Sequence, residues 1–102
     1  TEKIRRLTCG NIAVEPDTGK VYRDGEPIAV TKLEYKILMT LFSNPHKIFT
    51  REEILNGIWD MAGNFVNDNT LTVTMKRLRE KLGDKEGNVI VTVRGIGYRL
   101  NL

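Results

Sequence analysis

The sequence is poor in the residues that build covalent cross-links and metal sites. Cys9 is the only cysteine and His46 is the only histidine. One cysteine cannot form an intrachain disulfide, and one cysteine with one histidine is too few for a four-ligand zinc site. We therefore expect no disulfide framework, no metal centre and no cofactor. A protein that needs no disulfide suits a reducing compartment, so we expect a cytoplasmic location.

Long apolar runs and catalytic constellations are also missing. No run approaches the ~18 apolar residues of a membrane span, and no charged-then-apolar N-terminus suggests export, so we expect no membrane contact. Glu52 and Glu53 are adjacent carboxylates, but neighbours in a helix point in different directions. They fit a helix N-terminus, where the dipole favours negative charge, better than an acid/base pair. Without a nucleophile beside a base, the sequence does not predict an enzyme.

What is present is an ordinary globular composition with an uneven charge distribution. The 102 residues are 40% apolar and 28% charged, which fits one domain with one core. Residues 1–65 carry nine basic and nine acidic side chains, whereas residues 66–102 carry seven basic and four acidic ones. The net charge of +3 therefore lies entirely in the last 37 residues. A one-sided positive field favours a polyanionic partner.

The first third of the chain is patterned as short strands. Four candidates, rich in β-branched or aromatic residues, are Leu7–Cys9, Ile12–Val14, Lys20–Arg23 and Pro27–Val30. Asp24-Gly25 separates the last two and is a strong hairpin signal, because both central positions of a type I′ turn need positive φ. We predict a four-stranded antiparallel sheet. Residues 1–6 are interpreted as a linker remnant, and residues 7–102 as the domain.

Three helices and a second hairpin follow. Capping boxes at residues 31–34 and 50–53 begin the first two helices, the second of which is predicted to end near Trp59. After a predicted loop at residues 61–67, a third helix spans residues 69–82 and is closed by Gly83. The strand-like segments Asn88–Val93 and Tyr98–Leu100 are joined by Arg94-Gly-Ile-Gly97. This order predicts an α+β fold: a helix-turn-helix followed by a β-hairpin wing.

The third predicted helix is the most informative segment. Leu71, Met75, Leu78 and Leu82 recur at +4, +3 and +4 and form one apolar stripe. The opposite face carries Asn69, Val73, Lys76, Arg77 and Glu80, with Arg79 and Lys81 on the flanks. Such a face suits a DNA major groove, where guanidinium groups read guanine edges and small apolar groups touch thymine methyls. The alternative is a solvated amphipathic helix with ordinary surface cations.

Several runs of residues resemble the DNA-binding output domain of OmpR/PhoB-type response regulators. The matching runs are Leu33-Glu-Tyr35 with Leu38, Arg51-Glu-Glu-Ile-Leu55 with Trp59, Arg77-Leu-Arg-Glu-Lys-Leu82, and Val91-Thr-Val-Arg-Gly-Ile-Gly-Tyr-Arg99. The last run is the most specific of them. The resemblance covers roughly residues 7–102. It implies a winged helix-turn-helix with an N-terminal four-stranded sheet, three helices and a C-terminal β-hairpin wing, preceded by a phosphorylatable receiver domain.

The resemblance also implies roles for individual residues on double-stranded DNA. Base-reading positions correspond to Thr70, Val73, Thr74 and Arg77; phosphate-contacting positions correspond to Trp59, Lys76, Arg79, Thr92 and Tyr98; the wing arginine, expected in the minor groove, is Arg94. This chain has Asn69, Thr72 and Thr74 where the family often has arginine, aspartate and histidine. These departures leave the family's base preferences unassigned here. One core accounts for all the apolar stripes, so we expect the isolated domain to be a monomer. The resemblance further implies that such domains occupy direct-repeat half-sites.

Two other functional hypotheses stay open from the sequence. The domain could be a protein-interaction module in which the loop at residues 60–67 docks on RNA polymerase. It could also be the cytoplasmic DNA-binding domain of a membrane-anchored regulator with a sensor beyond Leu102. The net charge and the wing arginine Arg94 favour DNA as the partner.

Overall fold

The chain, as a computed structural model, is described over residues 6–62, 68–84 and 86–101; for residues 59–62 and 68 only the helical backbone is described. Over these residues the elements are, in order, β1 (Leu7–Cys9), β2 (Ile12–Glu15), β3 (Lys20–Arg23), β4 (Glu26–Ile28), α1 (Lys32–Ser43), β5 (Phe49–Thr50), α2 (Arg51–Ala62), α3 (Asp68–Leu82), β6 (Ile90–Val93) and β7 (Gly97–Leu100). Within them the predicted fold class is confirmed: an N-terminal four-stranded antiparallel sheet, three helices and a C-terminal hairpin. No helix in this described part of the chain has the length and apolarity to cross a membrane.

The N-terminal sheet has the strand order β1-β2-β3-β4, each neighbouring pair antiparallel. Asp24 and Gly25 link β3 to β4 with φ of 53° and 82°, which confirms the predicted turn and explains its sequence. Arg6, assigned above to the linker, is held to this sheet. It donates a 2.7 Å hydrogen bond to Glu15 and lies 5.0 Å from the centre of the Tyr22 ring. This bond keeps the pKa of the Glu15 carboxyl below its ordinary value.

Both predicted capping boxes are formed. The Thr31 hydroxyl accepts from the Glu34 amide at 3.1 Å, and the Glu34 carboxylate accepts from the Thr31 amide at 2.9 Å. Thr50 and Glu53 make the same reciprocal pair at 3.1 and 3.0 Å. A hydrogen bond from Lys47 is the main reason that the pKa of Glu53 is lowered, with the Thr50 amide adding to it. Each box satisfies two backbone groups that a helix start leaves unpaired, so α1 and α2 begin where the sequence indicates.

One core joins the sheet to the helices. The apolar stripe predicted on α3, Leu71, Met75, Leu78 and Leu82, is completely buried. It packs in a cluster with residues of the N-terminal sheet, α1, α2 and the C-terminal hairpin, among them Ile12, Val14, Ile37, Leu38, Leu41, Ile54, Ile58, Ile90 and Leu100. Burial of a large apolar side chain stabilises a fold by about 1.5–3 kcal/mol, so these contacts fix which face of α3 points outward.

Two polar contacts fix the C-terminal half of α3. Lys81 donates a 2.6 Å hydrogen bond to the buried carboxylate of Glu34 on α1. Gly83, with φ of 70°, ends the helix in a Schellman motif: its amide bonds the Glu80 carbonyl and the Asp84 amide bonds the Arg79 carbonyl. The predicted glycine cap is therefore confirmed, and α3 is tied to α1 at its last turn.

Asp84 connects α3 to the hairpin. Its buried carboxylate accepts hydrogen bonds from the backbone amides of Asn88, Val89 and Ile90, the last two at 3.0 and 2.8 Å. Strand β6 begins at Ile90, the last of these three residues, and not at Asn88 as predicted. The first strand of the hairpin is thus anchored to the residue that follows the α3 cap.

The C-terminal sheet contains a strand that the sequence did not predict. The two-residue β5 pairs with β7, giving the order β5-β7-β6. A Cβ at Gly97 would overlap the Phe49 carbonyl oxygen and lie 2.9 Å from the Thr50 Cα. Only glycine therefore permits β5 to approach β7 at this point. This pairing attaches the hairpin to the start of α2.

Other element boundaries also differ from the prediction, most of them by one residue; the larger differences are in α2 and β4. Helix α2 extends to Ala62 and includes Met61, both good helix formers, where a loop was expected; residues 63–67 of that loop lie outside the described residues. Strand β4 ends at Ile28 rather than at residue 30.

The buried Cys9 thiol on β1 lies 3.6 Å from the Asn101 carbonyl oxygen, so the first strand meets the end of the hairpin.

Candidate functional site

The exposed face of α3 is the one that the sequence predicts. Asn69, Lys76, Arg77 and Glu80 are exposed, and Val73 leaves 40% of its surface accessible. Thr70 is half-buried and makes polar contacts of its own. Arg77 has no carboxylate partner among the described residues, and the carboxylate of Asp84, seven residues later, is buried and bonded to backbone amides. The Arg77 guanidinium is therefore accessible to a ligand.

Thr74 does not belong to this face. Its side chain is 8% exposed and lies on the inner side of α3. It comes three residues after Leu71 and four before Leu78, so helical geometry places it beside the buried stripe. The outward orientation implied by the family resemblance is wrong for this residue.

The flanking side of α3 meets the hairpin through Arg79. Its Nη2 donates to the Ile90 carbonyl at 2.7 Å and to the Thr92 hydroxyl at 2.6 Å. Its Nε is buried and has no hydrogen-bond partner among the described residues. Thr92 is exposed on β6. Two predicted phosphate contacts are thus bonded to each other, and Arg79 joins the helix to the wing.

Tyr98 on β7 is the centre of this junction. Its side chain is 5% exposed, and two guanidinium groups lie near its ring, with the Cζ atoms of Arg79 and Arg51 at 5.4 and 5.9 Å from the ring centre. Both distances are within the range of cation–π attraction. Arg51 Nη1 donates to the Tyr98 hydroxyl at 2.9 Å, and Nη2 donates to the Thr72 hydroxyl on α3 at 2.6 Å. We call Arg51, Thr72, Arg79, Thr92 and Tyr98 the helix–wing junction.

Two residues of this junction, Arg51 and Thr72, are not among the site residues predicted from the sequence. Arg51 belongs to a run that matches the family, but no local pattern places its side chain against the hairpin. It is the first residue of α2 and directly follows β5, which pairs with β7. Recognition of that short strand would have been the signal that Arg51 reaches Tyr98.

An open groove runs between α3 and the hairpin. Its volume is about 630 Å³, and it is lined by Thr72, Met75, Lys76, Arg79, Glu80 and Tyr98. Two cations, one carboxylate and two hydroxyls border an apolar floor. Such a groove can accept an anionic group whose oxygens receive hydrogen bonds from its rim.

The hairpin tip is the second exposed cationic feature. Arg94 and Gly95 are exposed, and Ile96 leaves half of its surface accessible. The Ile96 amide bonds the Val93 carbonyl at 3.0 Å, which closes the turn and projects residues 94–96 beyond the sheet. Of the remaining predicted site residues, the side chain of Trp59 lies outside the described part of the structure.

Comparisons with known proteins agree with this geometry. The family model described as "Transcriptional regulatory protein, C terminal" matches residues 25–100. The phosphate regulon transcriptional regulatory protein PhoB of Pseudomonas aeruginosa is 33% identical over 96 residues, which cover 93% of this chain and 41% of PhoB. The chain spans about two fifths of the length of the curated relatives that it matches.

Two solved structures show the same fold. The response regulator DrrB, an OmpR/PhoB homolog of Thermotoga maritima, aligns with a TM-score of 0.84 and 26% identity over 95% of this chain and 44% of that one. The DNA-binding domain of Klebsiella pneumoniae RstA, solved in complex with the RstA box, aligns with a TM-score of 0.77 and 25% identity over 94% of this chain and 96% of that one. The chain therefore belongs to the family of C-terminal, winged-helix DNA-binding domains of OmpR/PhoB-type response regulators, which are not enzymes.

Proposed function

We propose that this domain binds double-stranded DNA in a sequence-specific manner, as the output domain of a two-component transcriptional regulator. The observation that carries the proposal is the division of α3 into a fully buried apolar face and an exposed face with Val73, Lys76 and Arg77. That exposed face borders the hairpin through the open groove. The RstA domain, of the same fold, was solved with its DNA box.

The proposed base-reading residues lie on the outer face of α3. Arg77 can present two parallel N–H groups to a guanine, and Val73 can contact a thymine methyl. Thr70, at the edge of this face, completes the set. Thr74 is not included, because its burial removes it from the groove.

Three of the proposed phosphate contacts, Lys76, Arg79 and Tyr98, line the groove, and Thr92 is bonded to Arg79. Lys76 is exposed and supplies a cation, while Thr92 and Tyr98 supply hydroxyl groups. Arg79 lines the groove, but one of its terminal nitrogens is engaged with β6, so its main task is to hold the wing. Trp59 is proposed as a phosphate contact on the family resemblance alone.

Arg94 is proposed to enter the minor groove that flanks the major-groove contact. A narrow A·T minor groove has an enhanced negative potential, which attracts an arginine at a hairpin tip. Binding of the domain and of Arg94→Ala should be compared on one site with A·T or G·C flanks. The flank preference should shrink in the variant; an equal preference in both proteins would rule out this role.

The context of the domain is part of the proposal. The relatives are longer than this chain, and the family resemblance implies an upstream receiver domain that is phosphorylated in the cytoplasm. Docking on RNA polymerase through residues 60–67 stays a prediction. Residues 63–67 lie outside the described structure, and no contact seen in the described part favours that docking.

A salt titration tests DNA binding directly. The equilibrium constant for a duplex should fall with salt concentration on a log–log plot with a slope of about −4 to −5, if about five phosphates are neutralised. Fluorescence anisotropy of a labelled duplex between low and physiological salt measures this slope. A slope near zero, or no binding at low salt, would contradict the proposed function.

A further inference from the structure

We infer that Arg51 is a positioning residue for DNA binding. It orients the Tyr98 hydroxyl so that this group can donate a hydrogen bond to a DNA phosphate. The inference rests on the proposed function. Arg51 lies at the start of α2, and one of its terminal nitrogens donates to Tyr98 on β7 while the other donates to Thr72 on α3. One side chain therefore joins three elements, two of which are proposed to contact DNA.

The hydrogen-bond chemistry at Tyr98 supports this role. A tyrosine hydroxyl has one proton to donate and lone pairs with which to accept. Arg51 donates to the oxygen, so the proton of Tyr98 is left for another acceptor. No such acceptor for this proton is found among the described residues, and Tyr98 lines the open groove beside Lys76. A phosphate oxygen bound in the groove would supply the missing acceptor.

The charge of the guanidinium also makes this hydroxyl a better donor. A hydrogen bond received from a cation polarises the O–H group and strengthens the bond that it donates. The same arrangement recurs at Thr92, whose hydroxyl oxygen accepts from Arg79. Each arginine therefore donates a hydrogen bond to a neutral hydroxyl group that is proposed to contact DNA.

Arginine has properties here that lysine lacks. Its planar guanidinium directs two nitrogens in fixed directions, one toward Tyr98 and one toward Thr72, while its Cζ atom lies 5.9 Å from the ring centre. A lysine keeps the charge but has one nitrogen and no plane. The substitution Arg51→Lys therefore separates positioning from charge.

A double-mutant cycle of Arg51→Lys and Tyr98→Phe tests the inference. Affinity for one duplex is measured for the unmodified domain, both single variants and the double variant, after thermal melting has shown that each is folded. Loss of a hydrogen bond to a charged group should weaken binding about tenfold in Tyr98→Phe. Arg51→Lys should cost about as much, and the double variant should bind no more than about twofold worse than Arg51→Lys. Losses that multiply in the double variant would overturn the inference.

The salt dependence distinguishes positioning from direct contact. If Arg51 itself neutralised a phosphate, Arg51→Gln would reduce the magnitude of the log–log slope by about 0.9. We expect the slope to change by much less than that, while affinity falls. A change of a full 0.9 would overturn the inference.

Arg99→Gln is the matched control. Arg99 is the neighbour of Tyr98 on β7, and its Nη1 bonds the Leu100 carbonyl. Removal of this cation should leave the tenfold effect of Tyr98→Phe intact. If Tyr98→Phe has no effect in the Arg99→Gln background either, the coupling is not specific to Arg51 and the inference fails.

Thr72→Val provides a second route if Arg51→Lys does not fold. It removes the other anchor of the Arg51 guanidinium from an exposed position on α3. The effect of Tyr98→Phe should then shrink; an undiminished effect would contradict positioning. Failure of the unmodified domain to bind DNA overturns the proposed function together with this inference, whereas normal binding with multiplying losses overturns the inference alone.

Discussion

At the residue scale, the neighbours Lys76 and Arg77 are expected to act differently on DNA. Both are exposed, but Lys76 lines the groove toward the hairpin, whereas Arg77 lies on the open face of α3. Arg77→Ala should relax preference at one base pair by about 1–3 kcal/mol, since a bidentate contact to guanine is lost. Lys76→Ala should weaken binding to every DNA sequence alike. It should also reduce the magnitude of the log–log salt slope by about the contribution of one phosphate.

Binding to a selected site and to its single-base variants checks both expectations. The two variants have the same net charge, so each serves as the control for the other. Equal losses on all sequences for Arg77→Ala would show that Arg77 is a phosphate contact and not a base reader.

Helical spacing is sufficient to divide α3 into a buried and an exposed face. It does not show which residues elsewhere in the domain its side chains contact. The buried stripe and the exposure of Val73, Lys76 and Arg77 follow from the 3.6-residue period. Thr74 was misplaced because the family resemblance was preferred to that period. The contacts of Arg79 depend on a hairpin that begins eight residues after the helix ends, so no local pattern contains them.

At the element scale, the attachment of the wing depends on Gly97. Gly97→Ala should force β5 and β7 apart, because the added Cβ would meet the backbone of Phe49 and Thr50. Overpacking against backbone costs about 1–3 kcal/mol. For a domain of this size, the melting temperature should fall by about 4–8 °C per kcal/mol.

Gly95→Ala is the matched control for this prediction. Gly95 also lies in the hairpin and has φ of 75°, but a Cβ there meets no atom within 4 Å. It should cost only the strain of a left-handed backbone, about 1 kcal/mol. An equal or larger loss of thermal stability for Gly95→Ala would mean that the close approach of β5 does not explain Gly97.

Elements with local signals were predicted, and those defined by distant contacts were not. Some features are formed by residues that are close together in the sequence, so the sequence alone predicts them. These are the Asp24-Gly25 turn, the two capping boxes and the Gly83 cap, and the structure contains all of them. In contrast, β5 has two residues, too few for an alternating pattern, and exists because β7 pairs with it. Strand β6 begins two residues later than predicted, and the bonds of residues 88–90 to the buried carboxylate of Asp84 leave no signal in the local pattern.

At the scale of the whole molecule, we expect the isolated domain to be a monomer. The described apolar stripes pack into one cluster, and the large apolar residues that are exposed in the described part of the chain are Ile48, Val73 and Ile96. A permanent dimer usually buries a larger apolar surface than three partly exposed side chains provide. Analytical ultracentrifugation well above the dissociation constant for DNA checks this; a tight dimer without DNA would contradict it.

The family resemblance extends this expectation to DNA. Two domains should occupy direct-repeat half-sites, and pairing of the receiver domains should tighten binding by raising the local concentration of the second domain. Binding assays on duplexes with direct or inverted half-sites compare the two arrangements. A preference for inverted repeats would contradict the head-to-tail arrangement.

Because Cys9 is buried against Asn101, the rate at which a thiol reagent labels it measures how often this part of the fold opens. The thiol is 1% exposed, burial raises its pKa, and no other cysteine competes for a reagent. A disulfide reagent can therefore react only after β1 and the end of the hairpin have separated. If the domain unfolds as one unit, the opening free energy from labelling rates should equal that from denaturant titration. A smaller value from labelling would show that this contact opens locally, before the whole domain unfolds.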